Sequence, residues 1–198
     1  MRGGVYTFLI AGHNKKRHDL PQIFDPVLAG HFKEFSGQDC HMLYVDMINY
    51  AFDSYFNCQH ILNIDSDAIV HPELFGAVSK AIYDLPDAGA IGFFNESCHP
   101  EPKEKYKEIY HARNHCSMLG LLINRNAWND FKKPNPGQQI DYGCIDGMFT
   151  SWVAQSGKYR LYTTVRSYVD HIGFKETHAS ETYDGIGAFV RARRFYSE

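Results

Sequence analysis

Short apolar runs alternating with stretches of helical periodicity constrain this chain more than any other feature. Val5 to Ala11, Met42 to Val45, His60 to Ile64, Ala90 to Phe94, Met118 to Ile123 and Tyr159 to Thr164 each have the length of a strand, and Tyr168 to His171 is extended. Between them, Leu20 to Phe35 carries Ile23, Val27, Leu28, Phe32 and Phe35 at helical spacing and stops at Gly37. Met47 to Phe56 sets Ile48, Ala51, Phe52 and Tyr55 on one helical face, and Pro72 to Tyr83 opens with a proline suited to a first turn. Ala127 to Phe131 and Asp141 to Gln155 also read as helices. Strands alternating with helices predict an α/β sandwich around a mostly parallel sheet. The polar stretch from Asn95 to Cys116 is long for a plain connection, so it is expected to be a functional loop, such as a lid, or to contain a short helix. Lys132 to Gln139, with Pro134, Pro136 and Gly137, is a loop.

No repeat, linker or low-complexity run divides the 198 residues, which suits a single domain over residues 1–198 with a substantial core. A net charge of −3 supplies no basic field for nucleic acid or an acidic membrane. No stretch approaches the roughly 20 continuous apolar residues of a membrane span. The apolar run near the start is short for a secretory signal, and a cytoplasmic protein is expected. Cys40, Cys58, Cys98, Cys116 and Cys144 are odd in number and widely spread, so they read as reduced thiols, mostly buried.

In parallel α/β sheets ligands bind beyond the carboxyl ends of the strands. On this reading Asp46 closes one strand there, and Asp65-Ser66-Asp67 closes another. Acids two residues apart in an extended chain face the same side. Close carboxylates repel, and a hard divalent ion relieves that repulsion while keeping coordination positions for phosphate oxygens. The plainer account is that the acids cap the following turn or helix.

The run Asn49 to Phe75, with its hydrophobic strand, its Asp-x-Asp and its Pro72-initiated helix, resembles the donor-site segment of GT-A glycosyltransferases of the family 2 type. Gly120 to Trp128 is similar to the strand and turn before their acceptor region. Ile145 to Tyr162 resembles their acidic helix, and Val169-Asp170-His171-Ile172-Gly173 looks like their C-terminal histidine segment. The ordered set spans roughly residues 5 to 174. It departs from the family at Ile145, where many inverting members carry a second acid, and in a compressed pattern of acids near the N-terminus.

The resemblance implies a GT-A, Rossmann-like three-layer sandwich and a hexosyl-transferring enzyme. It would use a nucleotide-diphosphate-sugar donor, a UDP-sugar by preference, a saccharide or other hydroxyl acceptor, and Mn²⁺ or Mg²⁺. It implies Asp67 as a metal ligand, with Asp65 on the ribose or reaching the metal through water. It further implies His171 as a ligand through neutral imidazole, and Asp146 as the base of an inverting mechanism. Asp46 would face the uracil or ribose, and His13 and Asn14 the nucleotide after the first strand. Lys15, Lys16 and Arg17 could face the diphosphate. Three alternatives stand beside this reading: a phosphohydrolase of the haloacid dehalogenase type, which also places Asp-x-Asp after a strand; a non-catalytic nucleotide-sugar-binding module; and a nucleotidyltransferase, which would want more glycine in the loop Gly12 to Arg17.

Overall fold

The structure, a computed structural model, describes residues 6–11, 40–65, 68–95, 106–107, 109–133 and 145–171. The elements in chain order are β1 (Tyr6–Ala11), α1 (Cys40–Ser54), β2 (His60–Asp65), β3 (Ala68–Val70), α2 (Leu74–Asp84) and β4 (Ala88–Gly92). They continue with β5 (Tyr110–Ala112), β6 (Leu121–Asn124), α3 (Arg125–Phe131), α4 (Ile145–Gln155), β7 (Arg160–Thr164) and β8 (Val169–His171).

The main sheet has six strands in the order β1-β2-β6-β4-β7-β5. β1–β2 and β4–β7 pair parallel, whereas β2–β6, β6–β4 and β7–β5 pair antiparallel. The sheet is therefore mixed, which corrects the expectation of a mostly parallel one. β1, β2, β4 and β7 share a direction, but β6 is inserted against it between β2 and β4. The central residues of β2, Ile61 to Ile64, are all buried, as are all of β4, because helices cover both faces.

Alternate residues of the strands enter two separate cores. Ile61, Ala90, Leu121, Ile123 and Leu161 pack with Val45, Ile48 and Phe52 of α1, with Trp128 of α3 and with Phe149 of α4. Leu62, Ile64, Ile91, Leu122 and Tyr162 pack with Leu74, Val78 and Ala81 of α2 and with Val169 of β8. The result is helix, sheet and helix in three layers.

α1 corrects the expectation of a strand over Met42 to Val45. Tyr44, Val45, Ile48, Ala51, Phe52 and Tyr55 form one uninterrupted helical stripe against the core, so the apolar run belongs to the helix that follows it. Arg125 then ties the return to the sheet, its guanidinium donating to the carbonyls of Tyr55 and Cys58 at 2.6 Å each. The helix expected over Leu20 to Phe35 lies outside the described residues. The stretch from Asn95 to Cys116 is in part sheet, since β5 pairs with β7 and Tyr110 donates to Asp84 at 3.1 Å. Residues 96–105 of the expected lid lie outside the described residues.

Cys58 and Cys116 are buried, their thiols donating to the carbonyls of His60 and Tyr162. Among the described residues no helix is long and apolar enough to cross a membrane.

Gly120, just before β6, has φ +65°, and a Cβ there would lie 2.7 Å from Val169 Cγ2. A side chain would therefore meet both left-handed strain and a clash with the strand that leads to His171. Gly120→Ala is expected to cost about 2 kcal/mol or more, read as a lower urea midpoint; an unchanged midpoint would contradict this packing.

His60 opens β2 at the opposite edge of the sheet, its Nε2 lying 3.3 Å from Asn124 Nδ2. Burial pushes its imidazole down to about 4 from an ordinary value of 6.5. The unfolded chain therefore binds a proton below about pH 6.5 that the folded chain resists until about pH 4. Folding stability falls through that window as the pH falls, by an amount on the order of 3 kcal/mol. His60→Leu should remove this component, so the stability difference between variant and wild type is expected to change by that amount between pH 7 and pH 4. A difference independent of pH would contradict it.

Candidate functional site

β1, β2, β4 and β7 all point toward one edge of the sheet, and β2 ends there at Asp65. Asn63 and Asp65 are two residues apart on the strand and so share the face that α1 covers. Asp65 Oδ1 accepts from Tyr44 Oη at 2.6 Å and from Asn63 Nδ2 at 3.0 Å. The same Asn63 amide donates to the Met118 carbonyl at 2.8 Å, which ties the strand to the loop before β6. Asn63 is fully buried, and its Oδ1 has no hydrogen-bond partner among the described residues.

Both helices that flank this face begin at the Asp65 edge. α1 runs from it back to the start of β2, and α4 runs from it back to the start of β7. Val45 near the start of α1 and Ile145 at the start of α4 share one core. Thr150, one turn into α4, lies 3.3 Å from both the amide nitrogen and the carbonyl oxygen of Cys116 and 3.3 Å from His115 Nδ1. Asp146 is one helical turn before Thr150 in the chain. The loop from His115 to Met118 is thus pinned to β2 on one side and to α4 on the other.

A two-stranded antiparallel ribbon, β3–β8, lies beside this edge on the α2 side, where Val169 enters the core with Leu74 and Ile64. Its register pairs Ala68 with His171, Ile69 with Asp170 and Val70 with Val169. The residue that follows Asp67 in the chain is therefore the strand partner of His171. Backbone bonds from Tyr168 and Val169 to the Phe93 carbonyl hold the ribbon to the end of β4. Nearby, Asn95 is buried and fixed by Ser167, by the Val165 carbonyl and by Arg113, whose guanidinium donates to Asn95 Oδ1 at 2.7 Å.

Of the residues singled out from the sequence, Asp65 is at the strand end as expected. Asp46 is not at a strand end: it lies within α1, a helical residue two positions beyond Tyr44, because the apolar residues around it follow the helical period. His171 is in β8 and Asp146 in the first turn of α4, while the side chains of both lie outside the described set. Asp67, His13, Asn14, Lys15, Lys16 and Arg17 lie outside the described residues. Among the described residues no three His, Cys, Asp or Glu side chains gather as a metal site.

The sequence reading missed Tyr44 and Asn63. Asn63 had a legible signal, a polar residue at the centre of an otherwise apolar strand. Tyr44 had none, since it reaches Asp65 only through the tertiary packing of α1.

No protein-family model and no curated protein sequence matches the chain. Its structure is similar to the crystal structure of A197 from STIV, with a TM-score of 0.52 and 16% sequence identity over 84% of each chain. It is also similar to a glycosyltransferase involved in the glycosylation of the major capsid of PBCV-1, with a TM-score of 0.39 and 11% identity over 80% of this chain and 92% of that one. The second likeness is too slight to carry an argument about chemistry. The first is a likeness of fold: A197 and this chain share a mixed α/β architecture.

Proposed function

We propose that the chain is a GT-A-type glycosyltransferase acting as a single catalytic domain, dependent on a divalent metal and on a nucleotide-diphosphate-sugar donor. The observation that carries the reading is the β3–β8 register, because it brings the residue after Asp67 opposite His171 at the edge where Asp65 ends β2. Two carboxylates and an imidazole, if they meet at that strand-end edge as proposed, would suit a hard or borderline divalent cation. Asp65, Asp67 and His171 would hold Mn²⁺ or Mg²⁺, which when bound supplies positive charge against the departing diphosphate.

The remaining chemistry belongs to the chain. In the proposed inverting reaction the acceptor hydroxyl oxygen forms the new bond to the anomeric carbon as the bond from that carbon to the diphosphate oxygen breaks. The hydroxyl proton passes to the Asp146 carboxylate, and the nucleoside diphosphate leaves with the bonding pair. The start of α4 at the Asp65 edge, with Thr150 pinning the His115 to Met118 loop, supports a base in that first turn. Asp46 keeps no strand-end argument for a nucleotide role, and His13 and Asn14 remain proposals on the resemblance alone.

Titration with UDP-, GDP- and dTDP-sugars, with and without Mn²⁺, tests the reading. Metal-enhanced binding of one nucleotide class, with slow donor hydrolysis or transfer, is expected. Binding without turnover would favour a binding module, and release of phosphate from simple phosphoesters would favour the hydrolase.

A further inference from the structure

The Asp65 carboxylate is held by groups whose presence the core does not explain. Tyr44 is partly buried against the core beside the α1 stripe of Ile48, Ala51 and Phe52, where a phenylalanine would fill the same space. What the tyrosine adds is a hydroxyl, and that hydroxyl donates to Asp65 Oδ1 at 2.6 Å across a sequence separation of 21 residues. Asn63 is more unusual. It occupies a fully buried position in a strand whose other central residues are Ile61, Leu62 and Ile64, so an apolar residue would suit the packing. Burying an amide opposes folding unless its polar atoms are matched, and its Oδ1 is unmatched among the described residues. Its Nδ2 divides between the Met118 carbonyl and Asp65 Oδ1. Two donors from two different elements thus converge on one carboxylate oxygen. Carboxylates that bind metals or ligands are commonly oriented by such outer partners.

We infer that Tyr44 is a positioning residue of the donor site, which through its hydroxyl, and together with Asn63, fixes the rotamer of Asp65 and makes the first turns of α1 one wall of that site. The inference rests on the proposed reading of Asp65 as a donor-site carboxylate. It also replaces Asp46 as the reason α1 matters: the functional link from this helix to β2 is the phenol of Tyr44.

The test is calorimetric titration of UDP into the full-length chain in the presence and absence of Mn²⁺, for wild type, Tyr44→Phe, Asp65→Asn and the double variant, with thermal unfolding of each. Tyr44→Phe keeps the ring and its packing, so its unfolding temperature without ligand is expected to stay close to wild type. Its Mn²⁺-dependent UDP affinity is expected to fall about tenfold. In the Asp65→Asn background the same substitution is expected to change affinity less than twofold, because the group it orients is already altered. Tyr44→Met, which fills the space without a donor, should reproduce the loss. Wild-type binding with an unchanged Tyr44→Phe variant would overturn the inference and leave the glycosyltransferase reading standing. Equal losses in both backgrounds would overturn the route through Asp65. A wild type that binds no UDP with Mn²⁺ would remove the reading itself, and the inference with it.

Discussion

Asp67→Ala is expected to abolish metal-dependent donor binding, with a loss of UDP affinity in Mn²⁺ of about a hundredfold or more, roughly 3 kcal/mol. Asp67 immediately precedes β3, and β3 begins at the residue paired with His171. On the proposed reading a carboxylate at that point would complete a set of anionic and imidazole donors for the metal, and removing it would leave one acid and one histidine. The effect should be confined to the metal-dependent component. Weak UDP binding in chelator is expected to match wild type, because the role proposed for Asp67 acts through the metal. Thermal unfolding of the variant, run beside the titration, separates a loss of binding from a loss of fold. A variant that binds UDP and Mn²⁺ as wild type does would remove Asp67 from the site.

Asp146→Asn is expected to separate binding from chemistry. General-base assistance contributes about 10² to 10⁴ in rate, so kcat should fall by that factor while UDP affinity in Mn²⁺ stays within about twofold of wild type. Asparagine is chosen because it keeps the size and shape of aspartate while removing the basic carboxylate. If Asp146 only stabilises the first turn of α4, the variant keeps its turnover as well as its fold. Equal kcat would sink the base assignment. The position of the residue makes the test sharp: α4 starts at the Asp65 edge, and Thr150 one turn later is bound to the loop that Asn63 also holds.

Part of the fold around this edge could be read from the chain, and the physical reasons for the misses are specific. β2 was legible because a strand buried on both faces is a nearly continuous apolar run, interrupted here at Asn63, and Asp65 falls at its end. The helices expected over Pro72 to Tyr83 and Ala127 to Phe131 were legible and are found as α2 from Leu74 and α3 from Arg125, with Pro72 lying just before the first turn rather than in it. Met42 to Val45 was misread because four apolar or aromatic residues look alike in a strand and in the buried stripe of a helix. Only the continuation through Ile48, Ala51 and Phe52 distinguishes them.

Strand direction was not legible either. Leu121, Leu122 and Ile123 say that a buried strand exists but not which way it runs. β6 is reversed by the tertiary path through Gly120, whose backbone lies against Val169 and bonds Phe93. β5 carries little apolar pattern. It is a short edge strand held by β7 and by the Tyr110 bond to Asp84, whose carboxyl is drawn below the ordinary range chiefly by its hydrogen bond from Lys80. The role given to Tyr44 comes from a long-range contact that no local pattern announces.

The central claim is that a divalent cation joins Asp67 and His171 to a diphosphate at the end of β2. The most direct measurement is anomalous diffraction from crystals of the full-length chain soaked with UDP and Mn²⁺. The account predicts a manganese peak bonded to Asp67, to His171 and to the diphosphate, with Asp65 alongside and still accepting from Tyr44. Manganese bound elsewhere, or UDP seated away from this edge of the sheet, would contradict it.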